Sequence, residues 1–254
     1  MEKLNQDKES HRLWHRLNER FVKAMATYHL IEDDDRILVG LSGGKDSLLL
    51  LEMLAKRSRI QHPRFTVEAL HVRMANIHYE TDTSYLQQFC DNLGVKLHVL
   101  TTSFEVTDGS RKGKTPCFLC SWNRRKQMFN LAQELGCNKI ALGHHQDDLL
   151  HTALMNLTFQ GRFDTMPALL RMRKMPLAII RPLCMIEEKD IKQYAELQGY
   201  WWLSVPSVSP LSVSTTTCSV ALSIRWDRLS TVHIGLSHKH KDIDVICVIF
   251  GARR

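Results

Sequence analysis

Residues of the types that bind phosphate and Mg²⁺ are concentrated in one short segment. This segment, which we call the phosphate loop, consists of Ser42, Gly43, Gly44, Lys45, Asp46 and Ser47. The glycines let the backbone approach a phosphate and present N–H groups to it, and a helix beginning after them adds the positive end of its dipole. Lys45 supplies a positive charge, its serine neighbours supply hydroxyl donors, and Asp46 supplies a carboxylate suited to Mg²⁺. The segment predicts a phosphate-binding loop, and the alternative is an ordinary strand-to-helix turn.

The order of residues in the phosphate loop disfavours one large class of nucleotide-binding protein. The Walker pattern G-x-x-x-x-G-K-S/T requires Ser or Thr after its lysine. In this chain Asp46 follows Lys45. A standard P-loop NTPase is therefore disfavoured.

A second segment combines histidines with carboxylates. This segment, which we call the histidine–aspartate loop, consists of Gly143, His144, His145, Gln146, Asp147 and Asp148. Asp147 and Asp148 are suited to Mg²⁺, and His144 is suited to orienting phosphates or donating a hydrogen bond. The alternative is a solvated helix cap.

A cysteine pair forms a third candidate site. Cys117 and Cys120 follow Pro116 at the start of a predicted helix, whose positive end lowers the pKa of nearby thiols. Two cysteines cannot fill a tetrahedral metal site, so zinc or an iron–sulfur cluster needs further ligands. Taken alone, the pair is compatible with metal binding, with redox chemistry or with no function.

Composition sets the broad class of protein. The chain has 254 residues, 44% of them hydrophobic and 24% charged, which fits one large globular domain and excludes a wholly disordered chain. Seven cysteines are too few and too unevenly spaced for a disulfide scaffold. A net charge of +7 permits a polyanionic partner. Because no apolar run is long enough to span a bilayer and the N-terminus is highly charged, we expect a cytoplasmic protein without a membrane anchor.

Alternating strands and helices position these candidate sites. An amphipathic helix is predicted at residues 2–28, and strands are predicted at 36–41, 66–72, 96–100, 139–142 and 178–180. Helices are predicted at 81–93, 119–135, 148–159 and 186–198, and the phosphate loop is predicted to open a further helix that runs through residue 54. This alternation predicts an α/β fold with a doubly wound parallel sheet. Both loops follow strands directly, so we expect them at the same edge of the sheet, where such folds bind ligands.

The composition changes after residue 200. Residues 203–223 are rich in Ser, Thr, Val and Pro without helical or strand periodicity. We therefore divide the chain into an N-terminal helix (1–30), a nucleotide-binding domain (31–200) and an atypical tail (201–254). The tail is interpreted as disordered, divergent or frameshifted.

The two loops resemble the signatures of the PP-loop ATP pyrophosphatase superfamily, SGG-x-DS and GH-x-x-DD. With the cysteine pair added, residues 13–200 are similar to the tRNA 2-thiocytidine biosynthesis family. The resemblance implies the adenine-nucleotide α-hydrolase-like fold and cleavage of ATP between its α- and β-phosphates. It also implies nucleotide contacts from the phosphate loop, Gly143 and His144, catalytic roles for Lys45, Asp46 and Asp147, and Mg²⁺ binding by Asp46, Asp147 and Asp148.

The same resemblance implies a 4Fe-4S cluster and a tRNA substrate. Family members hold the cluster through a cysteine pair matching Cys117 and Cys120 and through one cysteine of a later C-x-x-C. ATP would activate the C2 oxygen of an anticodon-loop cytidine, and sulfur from a cysteine desulfurase would replace that oxygen. A homodimer is also possible. This chain departs from the family because only the isolated Cys218 and Cys247 follow residue 200, so the third ligand is unassigned.

Basic and aromatic residues near these motifs are candidates for RNA contact. Trp122 and Phe163 are suited to stacking on a base, although core packing is the more common use of such residues. The basic residues are Arg111, Lys112, Lys114, Arg124, Arg125, Lys126, Arg162, Arg171, Arg173 and Lys174.

Two alternative functions remain open at this stage. One is a different PP-loop reaction on tRNA, such as lysidine synthesis, which does not require the cysteine pair. The other is binding of a nucleotide or a cluster without turnover.

Overall fold

The computed structural model describes residues 2–75, 83–103 and 116–200. The predicted tail, Cys218, Cys247 and the basic residues 111–114 lie outside these ranges. The elements, in chain order, are α1 (Glu2–Tyr28), β1 (Asp35–Gly40), α2 (Lys45–Ser58), β2 (Phe65–Met74), α3 (Thr83–Leu93), β3 (Lys96–Thr102), α4 (Pro116–Glu134), β4 (Lys139–Ala141), α5 (Gln146–Gln160), β5 (Leu169–Arg171), β6 (Ala178–Ile180) and α6 (Glu188–Leu197).

The strands form one six-stranded sheet in the order β3-β2-β1-β4-β6-β5. Every neighbouring pair is parallel except β5 and β6, which are antiparallel. From β1 the chain adds strands first on one side (β2, β3) and then on the other side (β4, β6), so the order reverses between β1 and β4. The predicted doubly wound fold is therefore confirmed. The sequence analysis missed β5, a three-residue edge strand that exists through its pairing with β6.

Buried side chains pack on both faces of the sheet, as strand alternation requires. Ile37 and Val39 of β1 belong to one apolar cluster, and Leu38 between them belongs to the other. The first cluster includes the buried faces of α1, α2, α3 and α6, and the second includes that of α4. Residues 47–55 of α2 are all buried, so the helix that follows the phosphate loop is covered on every side.

Three predicted helices begin at different residues in the structure. The helix predicted from residue 119 begins at Pro116, a residue whose fixed φ suits a first helical position. The helix predicted from residue 148 begins at Gln146. The helix predicted from residue 186 begins at Glu188, because the Ile186 carbonyl accepts the Gln146 N–H and the backbone of Glu187 is extended. Within the described residues, no helix is both long and apolar enough to cross a membrane.

Candidate nucleotide site

The two loops lie side by side at the carboxyl edge of the sheet. The phosphate loop follows β1, the histidine–aspartate loop follows β4, and these strands pair directly, with Val39 opposite Ala141. This edge between β1 and β4 is the topological switch point of the sheet, where doubly wound folds bind their ligands.

The phosphate loop exposes the beginning of α2. Gly43 has a φ of 86°, a conformation that favours glycine. Gly44 is the N-cap residue of α2 and has no side chain with which to cap the helix. A Cβ built on Gly44 would have the Ser42 Oγ, 3.5 Å away, as its nearest neighbour. The N-terminus of α2 is therefore open to an anion, and this arrangement fits a nucleotide phosphate.

Both serine hydroxyls take part in hydrogen bonds within the loop. The Ser47 Oγ donates to the Gly44 carbonyl at 2.9 Å and accepts the Ser42 N–H at 3.2 Å. The Ser42 Oγ accepts the Gly44 N–H at 3.3 Å. These hydroxyls were predicted as phosphate donors, and the structure shows that they also fix the shape of the loop.

Gly143 brings the second loop into direct contact with the first. A Cβ at this position would stand 3.1 Å from the Asp46 carbonyl carbon and 3.2 Å from both the Asp46 oxygen and the Ser47 nitrogen. Few Cβ atoms in proteins have contacts this short, so the neighbouring backbone would have to shift by a few tenths of an ångström. Glycine at this position therefore permits the close packing of the two loops.

His145 lies at the centre of the carboxylates, and sequence reasoning did not select it. Its side chain is 1% exposed, and its Nε2 lies 3.9 Å from Asp46 and 3.3 Å from Asp148. Its Nδ1 lies 3.6 Å from Asp147. The Asp148 carboxylate also accepts the backbone N–H of His145, and this hydrogen bond completes a capping box at the start of α5. His144, the residue that was selected, is buried beside it.

Glu188 at the start of α6 contacts residues of both loops. Its Oε1 lies 3.1 Å from the Lys45 Nζ, which also contacts the Asp46 carboxylate at 3.0 Å. Its backbone N–H donates to the Asp147 Oδ2 at 2.7 Å. No local sequence pattern indicates this contact, because residues 45, 147 and 188 belong to three different helices. Lys45, Asp46, Asp147 and Glu188 thus form one connected group.

Arginines of α1 hold the beginning of α6 in place. Arg16 contacts the Asp190 carboxylate at 2.9 Å. Arg20 contacts Glu187 at 3.1 Å and Asp190 at 3.2 Å. The Asp190 side chain is only 4% exposed, whereas that of Arg16 is 50% exposed, so the ion pair is buried on its carboxylate side only.

A buried histidine of β2 supports the strand that leads into the phosphate loop. The Nδ1 of His71 lies 2.8 Å from the Leu41 carbonyl oxygen. Burial lowers the pKa of His71, and the positive charges of Arg124 and Arg73 lower it further. The neutral ring with its proton on Nδ1 therefore donates to Leu41, immediately before the loop begins.

The cysteine pair lies in the first turns of α4, with Cys117 and Cys120 one helical turn apart. Cys120 is half-buried, and the Cys117 side chain lies outside the described part of the structure. Thiol ligands are the correct type for an iron–sulfur cluster. In the described part of the chain, however, no three His, Cys, Asp or Glu side chains are grouped to hold a metal. A cluster would therefore need ligands from outside that part.

The other described cysteines are buried and free. Burial raises the pKa of both the Cys90 and Cys184 thiols to about 11, and it also raises the pKa of Cys137. These residues remain thiols rather than thiolates at neutral pH, which agrees with a packing role.

The candidate RNA-contacting residues do not all lie near the nucleotide site. Arg162 is exposed beside Phe163, which is 85% exposed, so the expectation of core packing for Phe163 is wrong. Arg171 pairs with Ala178 at the start of β6, which is far from the carboxyl edge of the sheet where the two loops lie. The exposed residues Arg173 and Lys174 follow Arg171. These last three therefore lie toward the opposite end of the sheet.

Comparisons with known proteins identify relatives of the chain. A family model described as the PP-loop domain matches residues 13–209. A tRNA-cytidine(32) 2-sulfurtransferase of Shewanella pealeana is 37% identical over 191 residues, covering 74% of this chain and 61% of the relative. The protein of the same name from Aliivibrio salmonicida is 41% identical over 180 residues, covering 70% and 58% respectively. The chain thus spans about 60% of the length of these relatives.

A solved structure shares the fold. It is a U34-tRNA thiolase of Methanococcus maripaludis with its 4Fe-4S cluster. The match has a TM-score of 0.60 and 24% identity, covering 80% of this chain and 69% of the thiolase.

Proposed function

The chain belongs to the PP-loop domain family, and we propose that it carries out the ATP-dependent step of tRNA-cytidine thiolation. The relatives that match 70% or more of this chain are named tRNA-cytidine(32) 2-sulfurtransferase. The observation that carries the proposal is the packing of Gly143 on the Asp46 backbone. This packing supports the proposal because it brings the beginning of α2, Lys45 and Asp147 close together.

The proposed reaction begins with adenylation of the cytidine. The C2 oxygen attacks the α-phosphorus of ATP, the bond between the α- and β-phosphates breaks, and pyrophosphate leaves. The N–H groups at the start of α2 would bind the phosphates, and Lys45 would offset their charge. One or two of the Asp46, Asp147 and Asp148 carboxylates would hold Mg²⁺ together with the ATP phosphates, because no three such side chains of the described residues are grouped to hold a metal by themselves.

The second step replaces oxygen with sulfur. A sulfur nucleophile attacks C2 of the cytidine, and AMP leaves with the original oxygen. A 4Fe-4S cluster held by Cys117, Cys120 and a third ligand outside the described residues would supply the site at which sulfur is bound. We propose a cysteine desulfurase as the sulfur source and tRNA as the acceptor, which would place the protein in the cytoplasm. The predicted domain boundaries and homodimer remain predictions.

A pyrophosphate-release assay tests the adenylation step. Purified chain is mixed with MgATP and an anticodon stem-loop RNA that contains the target cytidine. We expect Asp147→Asn to lower RNA-dependent pyrophosphate release by roughly a hundredfold or more, because it removes a carboxylate that would hold Mg²⁺. Asp91→Asn, an exposed change on α3, is the matched control and should behave as wild type.

The outcomes of this assay separate the candidate functions. Equal activity of wild type and Asp147→Asn would refute the assigned role of Asp147. Pyrophosphate release without thiolated product would favour another PP-loop reaction, and nucleotide binding without release would favour a non-catalytic protein.

A separate measurement tests the cluster. Anaerobic reconstitution with iron and sulfide should give a broad visible absorption that is lost in Cys117→Ser. Failure of the wild-type chain to develop this absorption would count against a cluster in this chain.

A further inference from the structure

Lys45, which would bind phosphate, contacts two carboxylates in the structure. Its ammonium group lies 3.0 Å and 3.2 Å from the two Asp46 oxygens and 3.1 Å from the Glu188 Oε1. The Lys45 side chain is 13% exposed and that of Glu188 is 27% exposed. An ammonium has three N–H donors, so these carboxylates engage it fully. An incoming phosphate therefore has to compete with carboxylates for Lys45.

Contacts other than that of the Glu188 carboxylate also hold the beginning of α6 in position. The backbone N–H of Glu188 already donates to Asp147. Arg16 and Arg20 bind the carboxylates of Glu187 and Asp190 at the same end of the helix. The contact of the Glu188 side chain with Lys45 therefore points to a role of Glu188 in ligand binding.

A metal-free phosphate and a metal-bound phosphate would interact differently with Lys45 and its two carboxylate partners. A metal-free polyphosphate brings only negative charge, so displacing Glu188 from Lys45 leaves a carboxylate beside the anion without compensation. A Mg²⁺ complex brings a cation that accepts carboxylate and phosphate oxygens together. Such a complex supplies both a phosphate for Lys45 and a positive charge near the released carboxylates.

We propose that Glu188 is a specificity-determining residue that makes the site select Mg²⁺-complexed polyphosphate over the metal-free anion. This inference rests on the proposed nucleotide-binding function and deepens it. Glu188 contacts the Lys45 ammonium and thereby weakens the capture of free pyrophosphate or phosphate. The Mg²⁺ complex overcomes this hold because its cation offsets the carboxylate charge.

Binding calorimetry with inorganic pyrophosphate tests the inference without turnover. Wild type, Glu188→Gln and Glu187→Gln are titrated with pyrophosphate, once in excess EDTA and once in excess Mg²⁺, at one constant ionic strength. Glu187→Gln removes the same charge one residue away from a side chain that contacts Arg20 and Lys189 instead of Lys45. It is therefore the matched control.

We expect Glu188→Gln to bind metal-free pyrophosphate about three- to fivefold more tightly than wild type, the upper part of the range expected from losing one partly exposed ion pair. Its affinity for the Mg²⁺ complex should change by less than about twofold, and Glu187→Gln should match wild type in both titrations. Glu188→Ala should reproduce the Glu188→Gln result. Melting curves show whether each variant is folded, and either Glu188 variant alone suffices for the comparison.

Two results would overturn the inference alone. One is an unchanged ratio of metal-free to Mg²⁺-bound affinity in the folded Glu188 variants. The other is an equal effect of the Glu187 and Glu188 substitutions, which would indicate a general charge effect. A wild-type chain that binds neither MgATP nor magnesium pyrophosphate would instead overturn the proposed nucleotide function, and this inference with it.

Discussion

Gly143→Ala tests whether close packing of the two loops builds the nucleotide site. The added Cβ would stand 3.1–3.2 Å from backbone atoms of Asp46 and Ser47, and backbone atoms cannot rotate away as side-chain ends do. Such overpacking costs about 1–3 kcal/mol. The lower backbone entropy of alanine in the unfolded chain offsets roughly 0.4–1 kcal/mol of this cost. The net loss of up to about 2.6 kcal/mol corresponds to a fall in melting temperature of up to roughly 10 °C for a chain of this size.

The same substitution should affect nucleotide binding. If the beginning of α2 moves away from the histidine–aspartate loop, Lys45 and Asp147 no longer meet one ligand. We expect MgATP affinity to fall about tenfold or more, measured by calorimetry beside the melting curves. Gly40→Ala is the matched control, because its Cβ would contact side-chain atoms of Leu142 and Met128 at 3.3 Å instead of backbone atoms. Wild-type melting and MgATP binding by Gly143→Ala, or equal binding losses in both variants, would refute the reasoning.

Three further predictions concern stability. Asp35→Asn should lower the free energy of unfolding, measured in urea titrations, by about 3–5 kcal/mol. The substitution leaves the buried Lys139 ammonium, whose Nζ lies 2.6 Å from the Asp35 carboxylate, without its main counter-charge. An unchanged urea midpoint would contradict this prediction. Burial raises the pKa of Cys90 and Cys184 from 9.0 to about 11, so the native state retains protons that the unfolded chain releases. Their stabilisation is therefore complete below about pH 9 and declines as the pH rises toward 11; stability that stays flat across this window would count against the assignment. Arg20→Ala should lower stability by about 1 kcal/mol in dilute buffer and by less at 1 M salt, and a loss that does not depend on salt would exclude an ion-pair origin.

Local sequence was sufficient to predict the phosphate loop and the sheet that positions it. The apolar run before Ser42 and the glycines after it specify a buried strand, a turn and a helix start without information from distant residues. Asp147 was found for the same reason, because it follows a strand and opens a helix. The structure brings both segments to one edge, as parallel strand pairing requires.

Contacts between distant segments explain what was missed. Glu188 joins the site only because α6 packs beside both loops, and no local pattern encodes that contact. His145 could have been selected from the sequence as well as His144, since His145 precedes Asp148 by three residues, the spacing of a capping box. Phe163 was assigned to the core from its residue type, yet it follows the C-terminal Gly161 of α5 on an exposed turn.

The pairing of α1 with α6 has a consequence for the order in which the protein is made. Arg16 and Asp190 are 174 positions apart, so at typical translation rates of about 5–20 residues per second the ribosome makes them roughly 10–35 s apart. During that interval Leu17 and Phe21, fully buried in the finished protein, have no α6 to pack against. The nascent chain already carries both loops by then but lacks Glu188. Ribosome-bound chains that stop before α6 should therefore recruit chaperones through α1, and the candidate nucleotide site is completed only after Glu188 has been made.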